Sequence, residues 1–324
     1  TSTQIFSGPN AYTGTTTISA GVLNIRNATA LGTTAAGTSV TAGAALQIQN
    51  GITVGNESLT LNGTGISSDG ALRNISGTNV WQGTVTLGSA ARINSDAGSL
   101  TFNTAANSIT ATNQNLTLGG AADGAVSGTI TTGTGTLTKD GAGTWTLSGV
   151  NTYSGVTTVT AGTLRATTSA SALGAGALTL GGGTLQLAND TGLAFNRNTT
   201  VTTTSTITSD RLTSGAGVTH TLGTLSIGAQ TLNVTAGTNV TSGTAGVTFG
   251  ATTLSGNPTF DVGTGAQLTL GALAGGGAAR TITKADTGTL IFGAAAGVLT
   301  TGSSLVVNDG IAQVNTAGAL GATG

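Results

Sequence analysis

Four short segments decide the fold of this chain: Leu225-Ser226-Ile227, Val247-Thr248-Phe249, Leu268-Thr269-Leu270 and Leu290-Ile291-Phe292. Their first residues are separated by 22, 21 and 22 positions. The first and third residues of each segment are apolar, so in a strand both side chains point to one face. A strand that recurs at such a period is typical of a chain that coils on itself and stacks equivalent segments.

Further patterns along the chain support the same interpretation. A second apolar series, Val218, Val240, Val262 and Ile282, has successive steps of 22, 22 and 20 positions. Short apolar-threonine runs bounded by Gly, Asn, Asp or Ser recur elsewhere, and no segment has the 3.6-residue period of a helix. We therefore predict an all-β fold over residues 1–324: a single solenoid with three short strands in each coil of about 20–23 residues.

The composition excludes several classes of function. Charged residues make up 6% of the chain, against about 25% in an ordinary soluble domain. The formal net charge of −1 provides no basic surface for nucleic acid, so we expect no nucleic-acid partner. Cysteine is absent, so the fold has no disulfides, and no apolar run approaches the roughly 18 residues that a membrane helix needs.

A longer repeat is superimposed on the coil period. The segment 8–23 returns as 149–164, so that Asn10 and Tyr12 correspond to Asn151 and Tyr153. Both copies are followed by Ala-Leu-Gly, at 30–32 and 172–174. A degenerate third copy without the tyrosine extends over 288–321. The chain thus contains a duplicated array.

The alternation of glycine with apolar and polar residues over 135–164 closely resembles the autotransporter-associated β-strand repeat, also called the passenger-associated transport repeat. The resemblance covers 135–174 and 5–32, and it is weaker over 288–321. Trp145 stands where the family usually has leucine, and we expect it to point inward near the surface of the rod. We assign a structural role to the motif residues Asn10, Tyr12, Gly14, Lys139, Trp145, Asn151, Tyr153, Gly155 and Gly162.

The resemblance implies a right-handed parallel β-helix in the passenger of a bacterial type V secretion protein, displayed on the cell surface. Its implied partners are the protein's own translocation β-barrel and the outer-membrane assembly machinery. The residues before position 324 lack the alternating strands of such a barrel, and the first residues lack a signal peptide. We therefore expect a processed or excised passenger segment.

Catalytic residue types are scarce. The ten acidic residues are spread nearly one per coil, and Asp190 with Asp210, 20 positions apart, and Asp261 with Asp286, 25 apart, could come together on neighbouring coils. Turn aspartates that bind their own backbone are the favoured interpretation. We expect His220, the only histidine, to face solvent from a strand. The sequence predicts no catalytic, cofactor-binding or metal-binding residue, no cofactor, and no enzymatic activity.

Two functions remain compatible with these patterns. The first is a non-catalytic stalk or spacer whose repeats assist translocation across the outer membrane. The alternative is that the rod itself is an adhesin, which attaches to cell or host surfaces or to other copies of itself through its uncharged, threonine-rich sides.

Overall fold

The computed structural model describes residues 2–104, 106–294 and 299–320. In these ranges the chain is all-β, with parallel strands stacked as a β-solenoid of about 14 turns, which confirms the predicted fold class. The one helical element described there is the 3₁₀ turn Ile66–Ser68, and thus no helix in the described ranges could cross a membrane. Residues 295–298 and 321 of the predicted third repeat copy lie outside the described residues.

The chain divides into two compact units. Unit 1 consists of Thr1–Leu164 with Gly174–Gly176, and unit 2 of Arg165–Leu173 with Ala177–Gly324. The strand Thr163–Thr167 contains the point of division. A single solenoid over 1–324 therefore stays a prediction.

Unit 1 contains three columns of stacked strands, as predicted. Its strands are Thr3–Phe6, Thr16–Ile18, Val22–Ile25, Thr38–Val40, Ala45–Ile48, Thr53–Val54, Leu59–Gly63, Leu72–Asn74, Thr78–Trp81, Val85–Ser95, Ser99–Phe102, Ile109–Ala111, Leu116–Gly119, Asp123–Val126, Ile130–Thr131, Leu137–Lys139, Thr144–Leu147 and Thr157–Val159.

Unit 2 is built in the same way, with parallel pairing throughout its described strands. These are Leu178–Leu180, Thr184–Ala188, Thr199–Val201, Ser205–Asp210, Gly215–Ala216, Thr219–Thr221, Leu225–Ile227, Thr231–Ala236, Val240–Ser242, Ala245–Thr248, Thr252–Leu254, Thr259–Val262, Ala266–Leu270, Leu273–Ala274, Thr281–Ala285, Thr289–Phe292, Ser304–Val307 and Ile311–Val314.

Vertical columns of inward side chains form the core of each unit. Because parallel strands stack in register, one residue from each coil lies directly over its counterpart in the coil before. One column of unit 1 consists of Leu23, Leu46, Leu72, Ile93, Leu118, Lys139 and Val159. Each buried leucine or isoleucine stabilises the fold by about 1.5–3 kcal/mol. The lysine is the one charged member of this column.

The strand register in unit 2 corrects the predicted stacking. Val247 lies over His220, and Leu268 and Leu290 follow in the same column. Leu225 belongs to a different column, opposite Thr252. The predicted stacking of Val247 on Leu225 was therefore wrong. The actual partner, His220, lies 27 positions before Val247, and a constant period of 22 does not reach it.

The second apolar series also does not form a column. Val262 lies over Val234, and Val240 pairs with Gly215. The separation of directly opposite residues varies widely, from 19 positions between Thr3 and Val22 to 28 between Thr231 and Thr259. The strands keep their register while the turns between them change length. The predicted coil length of about 20–23 residues therefore covers only part of the observed range of 19 to 28.

Candidate functional site

Lys139, at the end of the strand Leu137–Lys139, is a fully buried charged group of the repeat motif. Its Nζ donates to the carbonyl oxygens of Asp140 at 2.6 Å, Gly141 at 2.8 Å and Ala161 at 3.1 Å. An ammonium group has three protons, so each one has a backbone acceptor. Burial is the main cause that lowers the pKa of Lys139 to about 8, and Asp140 acts in the opposite direction. Lys139 therefore joins the turns of two successive coils.

Glycines at the turns allow the close approach of the carbonyl groups that Lys139 binds. Gly141 has φ +71° and Gly162 has φ +57°, a conformation that side chains with a Cβ disfavour. A Cβ on Gly162 would lie 2.3 Å from the carbonyl oxygen of Gly141, one of the acceptors of Lys139. The predicted structural role of Gly162 thus has a specific cause: the two turns approach too closely for any side chain.

Unit 2 contains a second buried lysine of the same kind, which the repeat motif did not reveal. Lys284 is fully buried, and its Nζ donates to the carbonyls of Ala285 (2.6 Å), Asp286 and Asp309 (3.3 Å). Burial lowers its pKa, while Asp286 raises it. The signal in the sequence was the dipeptide Thr-Lys at 138–139 and 283–284, obscured by a longer turn before the glycine at 288.

Trp145 points inward, as expected, but it is fully buried and does not lie near the surface. Its Nε1 donates to the carbonyl of Gly119 at 2.9 Å, and its ring stacks on Phe102 with centroids 6.4 Å apart. Directly opposite on the preceding coil lies Gly124. The missing side chain of Gly124 provides the space that the indole fills, because a Cβ there would lie 2.6 Å from three ring atoms.

The two motif tyrosines make equivalent contacts in their two copies. The Tyr12 hydroxyl lies 2.6 Å from Thr16 Oγ1, and the Tyr153 hydroxyl lies 2.8 Å from Thr157 Oγ1. The carbonyls of Tyr12 and Tyr153 accept backbone N–H groups from residues 33 and 175, respectively. Tyr153 is fully buried, whereas 38% of Tyr12 is exposed.

The tyrosine ring explains why each Ala-Leu-Gly segment ends in glycine. A Cβ on Gly32 would lie 2.9 Å from ring carbons of Tyr12, and one on Gly174 would lie 2.5 Å from Tyr153 Cε2. Both glycines have a positive φ, +83° and +71°. The tyrosine ring and the glycine of the next coil therefore form one packing unit, which explains why both recur after the same spacing.

The remaining motif residues are two asparagines, which bond to backbone groups, and two glycines, which differ in how closely other atoms surround them. Asn151 Oδ1 accepts the N–H of Ile130 at 2.8 Å, and Asn10 Nδ2 donates to the carbonyl of Ala30 at 2.7 Å. A Cβ on Gly155 would lie 2.2 Å from a carbonyl oxygen of the preceding coil, whereas the space around Gly14 is open. A steric requirement for glycine therefore exists at Gly155 and does not exist at Gly14.

An ion pair on the outer face of unit 1 crosses an entire coil. Arg92 Nη1 and Nη2 each lie 2.7 Å from a carboxylate oxygen of Asp140, and Gly119 stands between them in the intervening coil. A Cβ on Gly119 would lie 2.4 Å from Asp140 Oδ1 and 2.5 Å from Arg92 Nη2. Bidentate geometry of this kind is the stronger form of such pairs. It links two coils that are separated by a third.

The first acidic pair considered for catalysis is occupied by structural contacts. Asp190 Oδ1 accepts the N–H groups of Leu212 and Thr213, both at 3.0 Å, and Arg211 lies 3.5 Å away. The hydrogen bonds from Thr213 are the main cause that lowers the pKa of Asp190. Asp210 accepts Gln186 Nε2 at 2.7 Å and the Arg211 N–H at 2.8 Å.

The second acidic pair, Asp261 and Asp286, does not form a catalytic site either. Asp261 lies opposite Ala285, the residue before Asp286. Asp286 Oδ1 accepts the N–H of Thr287, its own neighbour, as a turn aspartate does. Within the described ranges, no three acidic or histidine side chains come close enough together to hold a metal ion.

The expectation that His220 faces solvent was wrong, because His220 is fully buried. Its Nδ1 accepts the N–H of Leu193 at 3.1 Å, its Nε2 lies 3.1 Å from the carbonyl oxygen of Asp210, and its ring packs on Phe195 at 6.1 Å. Burial lowers its pKa, opposed by Asp210. His220 points inward because it stands in the column of Val247.

The outer face of unit 1 presents a stacked column of hydroxyl groups. Its members are Thr17, Ser39, Thr60, Thr86, Thr110 and Thr131. A groove of about 430 Å³ opens over the last three and is also lined by Gly88 and Gln114. The lining residues carry no charge, so the groove offers neutral hydrogen-bonding groups at the spacing of the strands.

Comparisons with known proteins agree with the repeat assignment. Residues 1–25 and 137–166 match the family model of the passenger-associated transport repeat. Comparison with curated proteins and with solved structures returns no match. The matched segments contain Tyr12, Lys139, Trp145 and Tyr153, whose contacts join successive coils. The chain carries passenger-associated transport repeats within a parallel β-solenoid, and this combination is consistent with an autotransporter passenger β-helix.

Proposed function

We propose that the chain is a non-catalytic stalk segment of a secreted bacterial surface protein of the type V autotransporter class. Its repeats would assist passage across the outer membrane, with the protein's own translocation barrel and the outer-membrane assembly machinery as partners. The displayed rod would hold other parts of the protein away from the cell.

The observation that carries this proposal is that the repeat residues are buried and bonded within the fold. Lys139, Trp145 and Tyr153 are fully buried, and their polar atoms bond to neighbouring turns and strands. A catalytic or binding motif would instead present such atoms to a ligand. The family that matches is one of passenger repeats and is not known for catalysis.

Stacking supplies a physical reason for assistance. Each coil gains its hydrogen bonds and apolar burial only when the next coil is added, so stability accumulates one coil at a time. Coils that fold outside the cell would then oppose backward movement of the chain through the membrane. Coils with buried lysine and tryptophan contacts would be part of that folded end.

Phase-preserving deletions in the full-length protein test this proposal. Lys139 lies opposite Val159, so deletion of 139–158 removes one motif coil and leaves the stack in register. Leu178 lies opposite Thr199, and deletion of 178–198 removes a coil outside the matched segments as the control. We expect the motif deletion to lower the surface-accessible fraction of the protein more strongly than the control deletion. Equal surface yields would contradict the assisting role.

A second candidate function, the adhesin, is favoured by the hydroxyl column. A neutral, repetitive face suits contact with other copies of the rod or with polar cell-surface ligands. In bacteria that clump, we expect Thr86→Lys with Thr110→Lys to abolish clumping. Lysines at Thr101 and Thr146, on another strand column of the same unit, should leave clumping unchanged. Equal effects of the two pairs would exclude the hydroxyl column as the adhesive face.

A further inference from the structure

His220 is held in one protonation state by its two partners. The Leu193 N–H points at Nδ1, which must therefore carry a lone pair, and the Asp210 carbonyl can only accept a proton, so Nε2 must donate one. The ring is thus a neutral imidazole protonated at Nε2. With both nitrogens occupied inside the core, a second proton can enter only at Nδ1, where a donor already stands.

The segment that His220 contacts is bonded to the next coil by separate hydrogen bonds and not by a strand ladder. Residues 189–198 form no strand, and Ala194 makes only an isolated bridge to Thr221. Thr221 N–H donates to the Leu193 carbonyl at 2.9 Å, and Phe195 N–H donates to the Thr221 carbonyl at 2.8 Å. The buried Phe195 ring, packed on His220, is the main apolar anchor of this segment. The histidine contact is therefore one of the contacts that close the coil, and the one that lies against its buried aromatic ring.

The carboxylates of the elements around His220 already accept hydrogen bonds from other groups. Asp210 ends the strand before the turn, and its two carboxylate oxygens already accept N–H groups from Gln186, Arg211 and Asn239. Asp190 belongs to the held segment and is bonded to the turn at residues 211–213. The strand that stacks on His220 presents the apolar Val247.

We propose that His220 is an acid-sensitive latch of unit 2, which opens the segment 189–196 when Nδ1 becomes protonated. Protonation converts the acceptor of the Leu193 N–H into a donor that faces it, so the hydrogen bond is lost. The imidazolium also gains solvation only if the segment moves away. Opening exposes Phe195 and the edge of the strand Thr219–Thr221. This property is independent of the proposed stalk function.

Acid shifts the equilibrium towards the open state, because His220 binds a proton less tightly in the folded state than in the open state. The pKa of His220 is lowered in the fold, so the open state takes up a proton first as the pH falls below about 6.5. Between that pH and the lower pKa of the folded state, the opening constant rises by up to about tenfold per pH unit. Above pH 7 the latch stays closed.

Two measurements on the whole chain test the latch. Because His220 is the only histidine, its ring resonances report tautomer and titration without ambiguity. We expect the Nε2-protonated form and a pKa below 6.5. Amide exchange of Leu193 and Phe195, corrected for intrinsic rates, should increase several-fold from pH 7 to pH 5.5, while amides of unit 1 keep their protection.

Variants separate the histidine from its acidic neighbours. His220→Gln removes the titrating ring, so exchange at Leu193 should lose its pH dependence, whatever its absolute rate. Asp190→Asn removes the nearby carboxylate and should retain the dependence. An ordinary pKa for His220, or unchanged exchange at Leu193 through its titration, would overturn the proposal even if a variant does not fold.

Discussion

The substitution Gly124→Ala tests whether the core of unit 1 depends on one missing side chain. The new methyl group would lie 2.6 Å from three atoms of the Trp145 indole, whereas carbon atoms in contact are about 3.5–4.0 Å apart. The ring must therefore move by about 1 Å to restore an ordinary contact distance. It cannot do so freely, since Phe102 stacks on it and its Nε1 bonds to Gly119 at 2.9 Å.

The expected cost follows from these contacts. Overpacking a close-packed core costs about 1–3 kcal/mol, and a weakened buried hydrogen bond costs about 0.5–1.5 kcal/mol. Replacing glycine by alanine within a strand returns about 0.5–1 kcal/mol. We expect Gly124→Ala to destabilise unit 1 by about 2 kcal/mol. Gly55→Ala is the matched control, because a Cβ there has open space and should change the stability by less than about 0.5 kcal/mol.

A double-mutant cycle distinguishes this steric conflict from a general intolerance at Gly124. Trp145→Leu alone should be destabilising because it leaves a cavity. In that background Gly124→Ala should cost little or nothing, since leucine leaves room for the methyl group. Urea unfolding followed by circular dichroism measures the free energies, and exchange of the Trp145 indole N–H reports the local effect. An equal cost of Gly124→Ala in both backgrounds would refute the reasoning.

Three further predictions concern the polar contacts. Lys139→Met should lower the free energy of unfolding by about 3 kcal/mol at pH 7, because three buried carbonyls lose their donor. Between pH 8 and 10.5 the unfolded lysine binds its proton more tightly than the folded one, so the wild type becomes more stable as the pH rises. The difference between the two unfolding free energies, measured in urea, should therefore grow by up to about 1.4 kcal/mol per pH unit in this range. Arg92→Met should cost about 1 kcal/mol, and the loss should shrink in high salt, since its pair with Asp140 is partly exposed; salt-independent stability differences would argue against the ion pair. Tyr153→Phe should cost about 0.5–1.5 kcal/mol and Tyr12→Phe close to nothing, because only the first hydroxyl is buried; thermal unfolding of both variants compares them.

The strand period was the part of the fold most accessible from sequence. Alternating apolar pairs such as Leu268 with Leu270 need no knowledge of partners, because the two-residue repeat of a strand sets which side chains share a face. The repeat copies were equally visible, and the structure gives Tyr12 and Tyr153 equivalent contacts. These features are local or nearly identical in sequence, so pattern alone reveals them.

The stacking partners were much less accessible. Val247 lies over a residue 27 positions earlier, and a count based on 22 placed Leu225 beneath it instead of His220. Turns can lengthen without disturbing the strands they connect, so the number of residues between two strands does not define their register. His220 is a different case: it alternates in phase with Val218 and Leu222, so the two-residue repeat already places it on the inward face, and only its stacking partner Val247 required the structure.

The sequence by itself determined that the chain is a β-solenoid with passenger-type repeats, because strand periodicity and duplicated motifs are properties of residue order. Only the tertiary structure decided what the motif residues do. Lys139 shares a column with leucines, and its ammonium is stable there because three carbonyls from two turns meet at one point. Such a meeting depends on how separate coils are placed over one another, and that placement is set by packing across the whole stack.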